Sequence, residues 1–163
     1  MRIGRLLPLG AAMLITCQAA HAQELITGNS VDAILAAAQS YGQATLDRQA
    51  NGDPQIRGAM LGVGYSIYFR NCTDNTDCED LNFYCGILDH KASADAINEW
   101  NRTRRFGKAY LDNDGDTVVE MDLNIEGGVS AENLDAAFGV WEIVLSEFTS
   151  YVGYDPTRSG DDA

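Results

Sequence analysis

The segment of residues 97–130 constrains the fold of this chain most. It has the pattern of a helix end, two strands joined by a tight turn, and the start of a further helix. Over residues 117–125 apolar and polar residues alternate, which is typical of an antiparallel strand with one buried face. The pair Asp114-Gly115 favours a hairpin turn just before that strand. The segment therefore predicts a hairpin between two helices, and it contains no catalytic motif.

Three helices are predicted. Each begins with a serine that stands two positions before an acidic residue, and these serines are Ser30, Ser93 and Ser130. A serine can cap the free N–H groups of a helix, and an acid in the first turn complements the helix dipole. The third helix is the longest, and its apolar residues recur at alternating spacings of four and three: Leu134, Phe138, Trp141, Leu145, Phe148 and Val152. We expect this stripe to pack on a sheet.

Five strands are predicted, at residues 44–49, 61–71, 81–88, 106–111 and 117–125. A turn signal, Asn-Gly-Asp-Pro at residues 51–54, separates the first two strands. With the helices, the order of elements is α-β-β-β-α-β-β-α. The sequence therefore predicts an α+β fold of two layers, in which helices cover one face of an antiparallel five-stranded sheet.

The first 22 residues have the three regions of an export signal. Arg2 and Arg5 form a positive start, and an apolar run over residues 6–17 follows them. Residues 20–22, Ala-His-Ala, match the small-x-small cleavage pattern. The apolar run is too short to span a membrane, and no later run approaches spanning length. We expect the protein to be exported by this signal.

We expect the chain to consist of three segments. We expect a signal peptide over residues 1–22, a single domain over residues 23–152 and a flexible tail over residues 153–163. The mature protein would be periplasmic or secreted. Removal of Arg2 and Arg5 lowers the net charge from −13 to −15. Such a charge disfavours binding to nucleic acid or to an anionic lipid surface.

Cys17 raises the alternative of a lipid anchor. The three residues before it, Leu14-Ile15-Thr16, resemble a lipoprotein signal. Threonine, however, stands where such signals carry glycine, alanine or serine. We therefore favour cleavage after residue 22 and expect no lipid anchor at Cys17.

The remaining cysteines indicate one disulfide. Cys72 and Cys78 flank a polar loop between two predicted strands, so that in a hairpin they face each other within bonding reach. An exported protein meets an oxidising compartment, and we predict a Cys72–Cys78 disulfide. Cys85 lies too far along the same strand to pair with either cysteine. Its alternation with apolar residues predicts a buried free thiol.

An ordered set of short segments covers about residues 28–152: Asp53-Pro54, Cys72, Cys78, Ile97-Asn98-Glu99-Trp100-Asn101, Arg105-Phe106-Gly107-Lys108-Ala109-Tyr110-Leu111 and Glu126-Gly127-Gly128-Val129-Ser130. Together they resemble the YbjN family, which is labelled a bacterial sensory transduction regulator. In its order of elements that family is similar to the type III secretion chaperones, which are dimeric α+β proteins that bind partner polypeptides. The resemblance implies a non-catalytic, chaperone-like regulatory module that binds a polypeptide or a second copy of itself. It supplies no catalytic residue and no cofactor.

A cluster of cations surrounds the end of the second predicted helix: Arg102, Arg104, Arg105 and Lys108. Cations at a helix C-terminus complement the dipole, and the same cluster could recognise a carboxylate, a phosphate or an acidic partner. We treat these residues as candidates for partner binding, with Arg105 as the preferred contact. Asn98 and Asn101 flank Trp100 and join the candidates, because asparagine is a mediocre helix former that needs another reason to be there.

An acidic run suggests an alternative function, the sensing of a small ligand or a divalent cation. Asp112, Asp114 and Asp116 place carboxylates at alternate positions, as at the start of a calcium-binding loop. Thr117 and Leu123 stand where the complete loop needs glycine and glutamate. We therefore favour a hairpin turn over a metal site.

Signals of catalysis are weak. His90 is the only histidine after the export signal, and no pair of cysteine or histidine residues has zinc-site spacing. The chain also lacks the Gly-x-Ser-x-Gly pattern of a serine nucleophile. We expect a protein that is not an enzyme.

Overall fold

A computed structural model describes residues 24–157 of the protein, and within them the fold consists of an antiparallel sheet and three helices. The elements are α1 (Val31–Tyr41), β1 (Gln43–Arg48), β2 (Pro54–Met60), β3 (Val63–Arg70), β4 (Asp80–Ile87), α2 (Ala94–Thr103), β5 (Lys108–Leu111), β6 (Thr117–Asn124) and α3 (Ala131–Val152). The six strands lie in the order β1-β2-β3-β4-β6-β5. The predicted α+β class is confirmed, with six strands in place of five.

The additional strand is β2, which the sequence pattern conceals. We predicted one strand over residues 61–71, but Leu61 and Gly62 form the turn between β2 and β3, with φ of 55° and 79°. Two positive φ angles match the turns that join antiparallel strands most tightly. Leucine rarely occupies a position of positive φ. The sequence pattern therefore placed Leu61 at the start of a strand instead of in a turn. β2 itself begins at Pro54, where the missing N–H is tolerated.

The core lies between one face of the sheet and the helices α1 and α3. Ile56, Ile67, Phe83 and Met121 are aligned across β2, β3, β4 and β6 and are all buried. The predicted stripe of α3 faces this row, and five of its six members are buried. The ring centroid of Phe83 lies 5.2 Å from that of Phe138. The alternation in the strands and the stripe in the helix therefore meet in one core.

Two of the three predicted serine caps form. The hydroxyls of Ser93 and Ser130 each accept a hydrogen bond of 3.2 Å from the backbone N–H three residues later. Ser30 makes no such bond to α1, because its hydroxyl accepts instead from the N–H of Thr27. The start of α1 is thus held by the preceding segment.

The Cys72–Cys78 disulfide closes the loop between β3 and β4. This loop also contacts the segment before α1, since a Cβ added at Gly28 would lie 2.0 Å from the carbonyl oxygen of Cys78. Cys85 is a buried free cysteine, and burial raises the pKa of its thiol to about 12. That thiol therefore stays protonated at neutral pH.

The predicted terminal segments lie largely outside the described residues. The signal peptide of residues 1–22, including Cys17, is among them. Residues 153–157 of the predicted tail are described, and the ring of Tyr154 lies 6.0 Å from that of His90. Within residues 24–157, no helix is long and apolar enough to cross a membrane.

We expect replacement of both Cys72 and Cys78 by serine to lower the free energy of unfolding by about 2 kcal/mol, because the bond no longer restricts the unfolded chain. Urea unfolding of the mature protein measures this change. Dithiothreitol should destabilise the wild type similarly and leave the double variant unaffected. An equal effect of dithiothreitol on both proteins would show that this disulfide is not its cause.

Candidate functional site

The four predicted cations do not form one cluster. Arg102 makes an ion pair with Glu99 on the surface of α2, at 2.6 Å. The Lys108 ammonium lies 2.6 Å from Glu120, on the face of the sheet opposite to the core. Arg104 and Arg105 lie together in the connection between α2 and β5. These two line a concave surface that is described below.

Arg104 is held by two contacts within the fold. Its guanidinium lies 5.8 Å from the centre of the Trp100 ring and 3.7 Å from the carboxylate of Glu147 on α3. Within residues 24–157, the Arg105 side chain makes no ion pair and lies over the Phe106 ring at 5.0 Å. Arg105 is therefore the cation of this pair that is free to meet an external carboxylate.

The two predicted asparagines have different environments. The Asn101 side chain donates to the carbonyl oxygen of Ala109 and accepts from the N–H of the same residue, both at 2.9 Å. Ala109 belongs to β5, an edge strand, so Asn101 occupies backbone groups that another strand could otherwise pair with. Asn98 is exposed on α2. Asn101 thus has a structural task, and Asn98 stays an untested candidate.

Phe106 occupies a strained turn, although we predicted it as the first residue of a strand. Its φ is 70°, and the N–H of Gly107 donates to the carbonyl oxygen of Arg105 at 2.9 Å. A hydrogen bond over two residues around a positive φ is the geometry of a rare, strained γ-turn. The Phe106 side chain is nevertheless 63% exposed. Burial of its ring therefore does not compensate for the strain.

Two concavities adjoin Phe106, one on each side. The first has a volume of about 270 Å³ and is lined by Trp100, Thr103, Arg104, Arg105, Phe106, Val140, Ile143, Val144 and Glu147. The second has a volume of about 260 Å³ and is lined by Phe106, Met121, Asp122, Leu123, Asn133, Ala136, Ala137 and Val140. Both share Phe106 and Val140, and we call the pair the Phe106 groove. Its floor is mainly apolar, and Arg105 stands at one end.

Part of this groove was predictable from the sequence. Arg104 and Arg105 were predicted as partner contacts, but Phe106 and Ile143 were not. Ile143 is 58% exposed and does not belong to the buried stripe of α3. Ala136, Val140 and Ile143 recur at spacings of four and three, which is a second, weaker stripe on the same helix.

The acidic run of residues 112–116 forms the hairpin turn between β5 and β6. The Asp112 carboxylate accepts hydrogen bonds from the N–H groups of Asp114 and Asp116, at 3.0 and 2.8 Å. The Asp116 carboxylate accepts from the N–H of Asp89 at 3.1 Å. Within the described part of the chain, no group of three potential ligand residues could hold a metal ion. The Asp112 carboxylate thus stabilises the turn, and the Asp116 carboxylate connects the turn to the segment after β4.

His90, a further residue of catalytic type, is also engaged in the fold. Its Nε2 lies 2.8 Å from the carbonyl oxygen of Val152, at the end of α3. The ring therefore helps to fix α3 beside the end of β4. This contact assigns His90 a structural task.

Comparison with known proteins identifies one family. The model of the YbjN family, described as "Putative bacterial sensory transduction regulator", matches residues 30–153. A search of curated proteins found no match. The matched residues include every helix and strand of the described fold, and they contain the whole Phe106 groove.

We expect Asn101→Ala to lower the free energy of unfolding by about 1–2 kcal/mol, because two hydrogen bonds to the edge strand are lost. Asn98→Ala is the matched control on the same helix, and it should change stability by a few tenths of a kcal/mol at most. Chemical denaturation of both variants measures the difference. Equal losses would contradict the structural task of Asn101.

We expect Phe106→Gly to leave the free energy of unfolding unchanged or to raise it by up to about 1 kcal/mol. Glycine accepts the positive φ without strain, and this gain offsets its greater loss of backbone entropy. Thermal and urea unfolding measure the change. A loss of about 3–5 kcal/mol, as for a buried phenylalanine, would show that the ring supports the core.

Proposed function

The chain belongs to the YbjN family, and from this premise we propose that it is a non-catalytic regulatory module that binds a polypeptide partner through the Phe106 groove. We further propose that it works after export, in the periplasm or outside the cell. The Cys72–Cys78 disulfide and the predicted signal peptide support export, since disulfides persist in oxidising compartments.

The position of Phe106 carries this proposal. A large apolar side chain is held out in a strained turn, between two concavities with apolar floors. Strained backbone persists where the surrounding structure enforces it, and it is concentrated at binding sites. Contiguous exposed apolar surface beside polar residues is characteristic of interaction sites. The groove therefore has the composition expected of a surface that binds another molecule.

The length of the groove favours a polypeptide over a small ligand. Its lining runs along α3 from Asn133 to Glu147, which is about 21 Å at the rise of a helix. Two separate concavities suit side chains that project from one chain segment. The alternative of a cation sensor receives no support from the geometry, because the Asp112 carboxylate stabilises the hairpin turn and the Asp116 carboxylate bonds to the N–H of Asp89.

An affinity capture from periplasmic extract of the producing bacterium tests the proposal. The baits are the mature protein, its Phe106→Gly variant and its Leu61→Gly variant. Leu61 is the matched control, because it is also apolar, 55% exposed and at a positive φ, but it lies in the turn between β2 and β3.

We expect a polypeptide that the wild type and Leu61→Gly retain equally and that Phe106→Gly loses at least tenfold. Quantitative mass spectrometry of the captured proteins measures the ratios. Retention by all three baits would contradict the groove as the site, and no retained polypeptide would contradict the proposed function itself.

A further inference from the structure

The charges around the groove restrict its partner. In residues 24–157, the side chains of Arg57, Arg102, Arg104 and Lys108 each pair with a carboxylate. The Arg105 side chain has no hydrogen-bond acceptor there, although the chain carries 24 acidic against 11 basic residues. A guanidinium without an acceptor at the edge of an apolar groove is suited to a carboxylate of a bound partner, which it can hold through two hydrogen bonds.

The spacing of the concavities gives the second restriction. On α3 the first concavity is centred near Ile143 and Val144, and the second near Ala136 and Ala137. Seven residues separate these centres, which is about 10.5 Å along the helix axis. A second helix lying along α3 would therefore place apolar side chains two turns apart, at positions i and i+7, on either side of Phe106. The small side chains of Ala136 and Ala137 allow such a helix to approach closely.

From these two restrictions we propose that the groove binds an amphipathic helix of another polypeptide, with apolar residues at i and i+7 and a carboxylate that pairs with Arg105. This inference rests on the proposed function and specifies the partner of the same site. It adds two features that polypeptide binding alone does not require, a helical spacing and an acidic contact.

A second copy of the chain fits this groove poorly. α3 carries four acidic residues, Glu132, Asp135, Glu142 and Glu147, and no basic residue. Two α3 helices side by side would bring carboxylates of the same sign together. The chain's own last six residues, RSGDDA, supply carboxylates but no apolar side chain larger than alanine. The chemistry of the groove therefore favours a different polypeptide.

Selection from a phage-displayed library of 18-residue helical peptides tests this inference. The mature wild-type protein is the target, and the probes for the later measurements are synthetic copies of the enriched peptides. We expect enriched peptides to share an apolar pair spaced by seven residues and at least one aspartate or glutamate. Titration calorimetry with Arg105→Glu should show at least a tenfold loss of affinity.

Two controls separate an ion pair from a general change in the surface. Arg102→Glu changes the same charge on an arginine outside the groove, and it should alter affinity less than twofold. A peptide whose acid is replaced by lysine should bind Arg105→Glu at least tenfold better than it binds the wild type. Circular dichroism confirms that each variant is folded.

Several results would overturn the inference. These are a library without enrichment, enriched peptides without an acid or without the spacing of seven, and equal affinities for wild type and Arg105→Glu. Sedimentation that shows a dimer dissociated by Phe106→Gly would assign the groove to a second copy. If affinity capture still yields a polypeptide that depends on Phe106, the proposed function stands and only the helical, acidic partner is wrong.

Discussion

The packing of α3 on the sheet is the contact on which the rest of the structure depends. Phe138 and Trp141 on α3 both contact Phe83 at the centre of the sheet, at 5.2 and 5.7 Å between ring centroids. Farther along α3, Phe148 meets the Trp100 ring edge to face at 4.9 Å and so attaches α2. Aromatic pairs of this kind stabilise beyond the apolar area that they bury. One helix thereby positions both the sheet and the second helix.

Trp100 connects this packing to the groove. Its indole N–H donates to the carbonyl oxygen of Gly107 at 3.0 Å, which fixes the residue directly after Phe106. Gly107 is also closely enclosed, because an added Cβ would lie 2.7 Å from Cγ1 of Val144. Gly107 is held against α3, and its N–H donates to the carbonyl oxygen of Arg105. The Phe106 side chain, which lies between these two residues, cannot turn into the core. Core packing therefore forces the exposed, strained conformation.

The sequence predicted those features that repeat along an element and missed those that depend on distant residues. Alternation identified β6, and the stripe of α3 identified its buried face. The same rule misplaced Phe106, because alternation groups it with Lys108 and Tyr110 on one strand face. Asn98 and Asn101 are equivalent in sequence, and only the position of β5 beside α2 distinguishes them. The sequence already favoured Arg105 over Arg102 as a contact, and the ion pair between Arg102 and Glu99 adds a physical difference between the two arginines.

Strain by itself does not identify a binding site in this fold. Leu61 is also exposed at a positive φ, yet the tight turn between two paired strands explains its backbone. No strand pairing requires the turn at Phe106, since β5 begins two residues later. What distinguishes Phe106 is its surroundings: apolar concavities on both sides and an arginine without a carboxylate among the described residues. We propose a binding site at this turn because enforced exposure, apolar neighbours and a guanidinium without a carboxylate occur there together, whereas the strained turn at Leu61 is explained by strand pairing.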